Sequence, residues 1–126
     1  MLIGRHPMHQ DLLYFPFGPA DDVCATWTAI NRVDRSNGCL SVIPGSHRSP
    51  LQTHALPKWE YVNRGYYGVK DMEDRLDQRV HVEMDPGDTI FFHPQLIHGS
   101  GRNISNGFRK AISGMLFSFS VPKLVI

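Results

Sequence analysis

Read as a pattern of apolar and polar positions, the chain is a series of short extended segments separated by Gly, Pro, Asn and Asp, with no long stretch at helical period. That is the pattern of an all-β protein. Residues 8–13 predict a first short strand, after which Pro16 and Pro19 exclude regular sheet pairing. Residues 24–33 alternate Cys, Thr, Thr, Ile against Ala, Trp, Ala, Asn, and the turn chemistry of Asp34-Arg35-Ser36-Asn37-Gly38 hands over to a returning strand at 39–43. Residues 48–77 have little clear period, with one helical turn predicted over 70–78. A connection of that length is usually functional. Order returns at 80–84, where Asp85-Pro86-Gly87-Asp88 makes a tight turn into 89–92, and these two strands are expected to pair or neighbour each other. Residues 98–103 are glycine-rich and extended, and 108–121 predict a long apolar strand. Six or seven short antiparallel strands with this punctuation suit a jelly roll. An immunoglobulin-like sandwich fits less well, because Cys24 and Cys39 lie on adjacent segments with no room for the usual spacing around a tryptophan.

Composition changes this picture only by exclusion. The 126 residues make one domain, 1–126, and 41% hydrophobic with 20% charged residues is ordinary for a soluble globular protein. A formal net charge of +1, with the basic residues scattered, lacks the footprint of a nucleic-acid binder. No apolar run reaches the length of a membrane span or of a signal peptide, and Cys24 and Cys39 form no Cys-x-x-Cys pair, so a reducing compartment is the expectation. Nothing in the pattern specifies an oligomeric state.

The candidate chemistry starts at His9-Gln10-Asp11. On a strand, alternate side chains share a face, so His9 and Asp11 project together while Gln10 points away. Imidazole plus carboxylate suits iron, zinc or manganese, and two His with one carboxylate and open positions opposite is diagnostic of non-haem Fe(II) oxygenases. The pair alone is a weak signal in a chain with seven histidines. His98 is the best candidate for the third ligand, since it follows an apolar strand and turn and precedes Gly99-Ser100-Gly101, whose small side chains leave room beside a metal. Arg109 heads an otherwise apolar strand, where a guanidinium is costly without a partner. A small dicarboxylic cosubstrate held by two parallel hydrogen bonds would satisfy it; a sheet-end Asp or Glu is the alternative. His81-Val82-Glu83 repeats the ligand spacing but sits in an alternating segment where both side chains can face solvent, and His93 before a proline reads as a structural histidine. His6, His47 and His54 have no spacing that selects them.

His9-Gln10-Asp11, Trp27, Asn37-Gly38-Cys39-Leu40, Pro44-Gly45-Ser46-His47, Pro57-Lys58-Trp59-Glu60, Gly87-Asp88-Thr89, Phe92-His93-Pro94, His98-Gly99-Ser100-Gly101 and Phe108-Arg109-Lys110-Ala111-Ile112-Ser113 together resemble the phytanoyl-CoA dioxygenase family along most of the chain. The resemblance implies a double-stranded β-helix, meaning a cupin-like jelly roll, and dependence on Fe(II) and 2-oxoglutarate, leaving room for ascorbate. It implies His9, Asp11 and His98 as iron ligands and catalytic centre, Arg109 as the clamp on the distal carboxylate of 2-oxoglutarate, and Trp27 lining the cosubstrate pocket with Gln10 beside it. It also implies dioxygen as co-reactant and hydroxylation at the 2-position of a branched fatty acyl-CoA such as phytanoyl-CoA. Peroxisomal residence follows by resemblance, cytoplasmic otherwise, since no targeting signal is visible. Lys58, Arg64 and Lys70 in the middle segment are candidates to meet a CoA phosphate, against the plainer reading as solvated loop charges. Family members are longer, so the chain is expected to be a partial domain that lacks a strand, helices and cosubstrate contacts ahead of His9 and a tail beyond Ile126. A non-catalytic metal- or ligand-binding β module is the alternative function.

Overall fold

A computed structural model describes residues 5–59 and 65–118. Its strands are β1 (His6–His9), β2 (Val23–Ala29), β3 (Leu40–Val42), β4 (His54–Ala55), β5 (Gly68–Val69), β6 (Val80–Val82), β7 (Thr89–Phe92), β8 (His98–Ser100) and β9 (Ala111–Phe117). They form a four-stranded sheet in the order β1-β8-β3-β6, a three-stranded sheet β7-β2-β9 and the small hairpin β4-β5, with every pairing antiparallel. Two antiparallel sheets with crossing connections are the jelly roll that the strand pattern predicts. No helix of the described residues is long and apolar enough to cross a membrane.

Alternation along β2 builds the space between the sheets. Val23, Ala25, Trp27 and Ala29 are buried while Cys24, Thr26 and Thr28 are only partly covered, as period-two geometry demands of a strand with one face inward. Trp27 and Ala29 pack with Val33, Cys39, Leu40 and Met84 in one core cluster; Met8, Ile43, Val69, Met72 and Ile97 form a second, where the middle segment covers β1. Both cysteines are free thiols.

Three expectations need correction. The first strand stops at His9, and Asp11–Leu13 is a 3₁₀ turn whose last amide is fastened to Gln10 O at 3.1 Å. The strands around Asp85-Pro86-Gly87-Asp88 are not partners: β6 pairs with β3 and β7 with β2, in different sheets. The turn crosses between the layers because Met84 bridges Val33 and Gly87, at φ +94°, donates its amide to Ala29 O at 2.8 Å. The helical turn is narrower than expected, Glu73–Gln78, and it is 3₁₀. Of the long last strand the structure shows Ala111–Phe117, and positions 119–121 lie outside the described residues.

Candidate metal centre

Strand pairing brings the distant ligand to the local pair. In β1·β8 His9 stands opposite His98 and His6 opposite Ser100, with a register shift between them, so four residues of β1 face three of β8. The extra residue is a β-bulge, and it turns His6 and His9 to the same side although they are three apart. Their ring centroids are 4.1 Å apart, and those of His9 and His98 are 4.3 Å apart. Gly99 permits the approach: a Cβ there would lie 2.9 Å from the carbonyl oxygens of both His6 and Pro7. The sequence suggested room for a metal as the reason for that glycine; the backbone contact with β1 is the stronger one. Beyond the strand, Gln10 stays extended at φ −115° and ψ 129°, which carries the alternation one step further and delivers Asp11 to the face of His9.

Asp11 Oδ1 lies 3.2 Å from His9 Nε2 and 3.6 Å from His98 Nε2, and the three ligand atoms are all within 4.8 Å of one another. The side chains of His9, His98 and Asp11 are 6%, 7% and 15% exposed. Each ring is held by its other nitrogen, His9 Nδ1 donating to Pro7 O at 2.8 Å and His98 Nδ1 to Leu96 O at 3.0 Å. A carbonyl only accepts, so Nδ1 of each ring carries a proton, and Nε2 is the nitrogen turned toward Asp11, in hydrogen-bond contact with it at His9. Two imidazole nitrogens and one carboxylate converging this closely fit a divalent cation, which would replace the proton shared by His9 and Asp11, and backbone carbonyls behind the histidines are the usual outer support of such a site. Charge state agrees. Burial, reinforced by the neighbouring His9, pushes His98 down to about 4. Burial by itself would raise Asp11, but the contact with His9 and the charges that His98, His9 and His6 can carry hold its carboxyl below the ordinary range.

The three ligands open onto a cavity of about 670 Å³ walled by aromatic side chains, among them Phe15, Trp27, Tyr66 and Phe92. Trp27 lines it from β2 and Arg109 from the segment before β9, with the guanidinium carbon 5.9 Å from the indole centroid. Arg109 as a residue is exposed, yet its charged end lies in the cavity wall, where burial lowers its pKa from the usual value. It donates from Nη1 to Gly38 O, and among the described residues no carboxylate lies within ion-pair distance of it. The sheet-end salt bridge is therefore not formed there.

Gln10 is placed elsewhere. Its side chain is fully buried and is not on the cavity wall: Nε2 donates to Gln95 O at 2.8 Å and Pro50 O at 3.3 Å, and Oε1 accepts from Gln52 N at 2.8 Å. The same alternation that aims His9 and Asp11 at the cavity aims Gln10 away from it, where it ties two loops together. The resemblance had put it beside the cosubstrate.

Other residues at the site had no sequence signal. His6 stacks 4.1 Å from His9 and 4.2 Å from Tyr66 and lines the cavity, and burial with the adjacent His9 pushes its pKa down to about 4. At three residues from His9 it is out of phase for a regular strand, and only the bulge recruits it. Asn31 clamps the backbone around Arg109, donating to Phe108 O at 3.0 Å and accepting from Lys110 N at 2.7 Å. An Asn at a strand end reads only as turn chemistry. The decoys stay apart: His81 is exposed and Glu83 pairs with Arg32 at 3.9 Å, while His93 is hydrogen-bonded to Asp21 at 3.1 Å and His54 Nε2 accepts the Gln10 amide at 3.1 Å.

Residues 3–111 match the phytanoyl-CoA dioxygenase family. The probable phytanoyl-CoA dioxygenase of Caenorhabditis elegans is 60% identical over 113 residues, covering 89% of this chain and 36% of that protein. The peroxisomal phytanoyl-CoA dioxygenases of Bos taurus and Homo sapiens are 58% and 56% identical over 111 residues, 87% of this chain and 33% and 32% of theirs. The chain thus spans about a third of the length of these curated relatives. Among solved structures, the epimerase SnoN in complex with Fe3+, alpha ketoglutarate and nogalamycin RO aligns with a TM-score of 0.68 at 25% identity, covering 92% of this chain and 43% of that one. The non-heme monooxygenase ThoJ aligns at a TM-score of 0.72 and 22% identity over 92% of this chain and 41% of its own, a likeness of fold alone. With the jelly roll and the His-Asp-His cluster in place, the match over residues 3–111 settles the family: the chain belongs to the phytanoyl-CoA dioxygenases.

Proposed function

We propose that this chain carries the iron and cosubstrate centre of an Fe(II)/2-oxoglutarate-dependent oxygenase that hydroxylates the 2-position of a branched fatty acyl-CoA. One observation carries the reading: two imidazole Nε2 atoms and one carboxylate converge at a cavity whose wall holds an Arg109 guanidinium with no carboxylate partner among the described residues. His9, Asp11 and His98 would hold the metal, and when bound it supplies the redox chemistry that couples decarboxylation of 2-oxoglutarate to oxidation of a C–H bond.

The chain's own residues do the rest. Pro7 and Leu96 carbonyls hold the Nδ1 protons of His9 and His98, so Nε2 is the nitrogen each ring turns to the metal site. Arg109, steadied by Gly38 O and by the Asn31 clamp, offers its remaining donors to a carboxylate in bidentate fashion. Trp27, Phe92 and Phe15 line the cavity around these groups with apolar surface, which strengthens electrostatic contacts made there. The substrate class comes from the names of the relatives, as does peroxisomal residence, which those of Bos taurus and Homo sapiens carry. Anaerobic titration of the chain with Fe(II) and then 2-oxoglutarate tests the reading. The expected result is the visible charge-transfer band of the chelate, lost in Asp11→Ala; no band in the parent chain would leave a non-catalytic binding module.

A further inference from the structure

A second cavity, of about 510 Å³, lies under the middle segment and shares His6 and Ser100 with the metal cavity, so the two meet across β1·β8. Its lining includes apolar Met8, Val69 and Met72 from the second core cluster. Five cationic side chains, Arg5, Lys58, Lys70 and Arg102 among them, line it together with two acids, Asp71 and Glu73. Arg5 lies flat on Trp59, its guanidinium carbon 3.3 Å from the ring centroid, and its Nε is buried without a hydrogen-bond partner. Among the described residues neither Arg5 nor Arg102 has a carboxylate within ion-pair distance. The two guanidiniums are close enough that Arg102, after burial, is the second cause depressing the pKa of Arg5. A buried guanidinium donor without a partner, beside a second cation without a counter-ion, is a ready place for an anion.

We propose that this second cavity binds the phosphate-bearing handle of the substrate, with Arg5 and Arg102 as its paired anion clamp and the seam at His6 and Ser100 as the passage to the metal centre. The inference rests on the acyl-CoA reading above. It adds a site formed by different residues. Guanidinium pairs suit phosphate because each presents a planar fork of donors, and the Trp59 face holds one fork in place before the ligand arrives. Lys58 and Lys70, which the sequence offered as solvated loop charges or phosphate contacts, line the same cavity; Arg64 lies outside the described residues. Gly38 links the two sites: at φ +86° a Cβ there would meet Gly101 O at 2.7 Å, and its carbonyl already holds Arg109.

The test is calorimetric titration of the full chain with free coenzyme A and, separately, with inorganic phosphate, for the parent, Arg5→Gln, Arg102→Gln and the exposed control Arg48→Gln. Loss of a charge-assisted contact should weaken coenzyme A binding roughly ten- to a hundredfold in either cavity variant and leave the control unchanged. Thermal unfolding checks Arg5→Gln, whose stacking on Trp59 is structural as well; Arg102→Gln removes a surface charge and keeps the proposal falsifiable if Arg5→Gln unfolds. Coenzyme A binding equal in parent and Arg102→Gln overturns the proposal, as does Arg-dependent binding of phosphate with none of coenzyme A. The Fe(II)/2-oxoglutarate band read on the same samples separates the two readings. A band with Arg-independent coenzyme A binding overturns the clamp alone, whereas Arg-dependent binding without a band supports the clamp and strikes the oxygenase reading.

Discussion

The two sheets contribute to the metal cavity in opposite ways. In the four-stranded sheet, all of β8 and the last three residues of β1 are buried, and the ligands His9 and His98 are fixed by strand pairing, by the glycine contact at Gly99 and by carbonyl hydrogen bonds. In the three-stranded sheet β9 is exposed along almost its whole length, with Ile112 and Leu116 64% and 54% exposed, and Arg109 sits in a segment held by Asn31, by the Ile30 amide on Lys110 O at 3.0 Å and by its own bond to Gly38 O. The metal side is therefore preorganised by packing. The carboxylate side is preorganised by a few polar contacts, so it should tolerate movement that the metal side does not.

Breaking the rigid side should give the largest effect. Asp11→Ala or His98→Ala removes a ligand outright and should lower Fe(II) affinity by more than the roughly 10–100-fold that loss of an outer partner costs, whereas His81→Ala should leave it unchanged. Calorimetric metal titration of the three variants decides it, and equal affinities would mean that the buried cluster is not the metal site. Gly99→Ala attacks the same side without touching a ligand. Its Cβ would press on two carbonyl oxygens at 2.9 Å, so β1 has to move from β8, and both stability and metal affinity should fall; urea unfolding and the metal titration should report it together.

On the open side the effect should be smaller and separable. Arg109→Lys keeps the charge but loses the planar fork, which should raise the 2-oxoglutarate dissociation constant roughly ten- to a hundredfold with Fe(II) binding intact. A lowered melting temperature with unchanged cosubstrate affinity would instead make Arg109 part of the sheet's architecture. Gln10→Met sharpens the contrast, because it takes the partner from Gln52 N and from the carbonyls of Gln95 and Pro50, the first two of them half-buried. Stability should drop by about 1–3 kcal/mol for each group that finds no new partner, while 2-oxoglutarate affinity of the folded protein stays the same.

The gentlest probe is pH. His6 and His98 have pKa values lowered to about 4 in the fold from an ordinary 6.5, so on acidification the unfolded chain takes up protons first. Their contribution to stability is fully present above about pH 6.5 and is lost as pH falls toward 4. Unfolding of the metal-free chain followed from pH 7 to 4 should show this decline, and His6→Phe should lessen it.

Much of this was legible in the order of residues. Alternation in β2, the turn residues Asp34 to Gly38 and the apolar segments marked an all-β fold, because a strand with one buried face has to repeat every two residues. The His-x-Asp spacing put the two side chains on one face for the same reason, and that holds although Asp11 lies beyond the strand, since Gln10 remains extended. Gln10 itself was misplaced by resemblance when alternation alone had already pointed it away. Charge on Arg109 in an apolar setting marked a guanidinium in need of a partner, but not what steadies it.

What the sequence determined by itself, then, are the features set by neighbours along the chain: which residues share a face, where the chain turns, and that a histidine and an aspartate stand side by side. Only the tertiary structure decided which of the six other histidines joins them, that a bulge adds His6, that the strands flanking the 85–88 turn part into different sheets, and that Arg5 and Arg102, 97 positions apart by their numbering, line one cavity with no carboxylate at ion-pair distance among the described residues. Those outcomes depend on the register between strands, and register is settled by packing across the whole fold, where one inserted residue reverses every face that follows it.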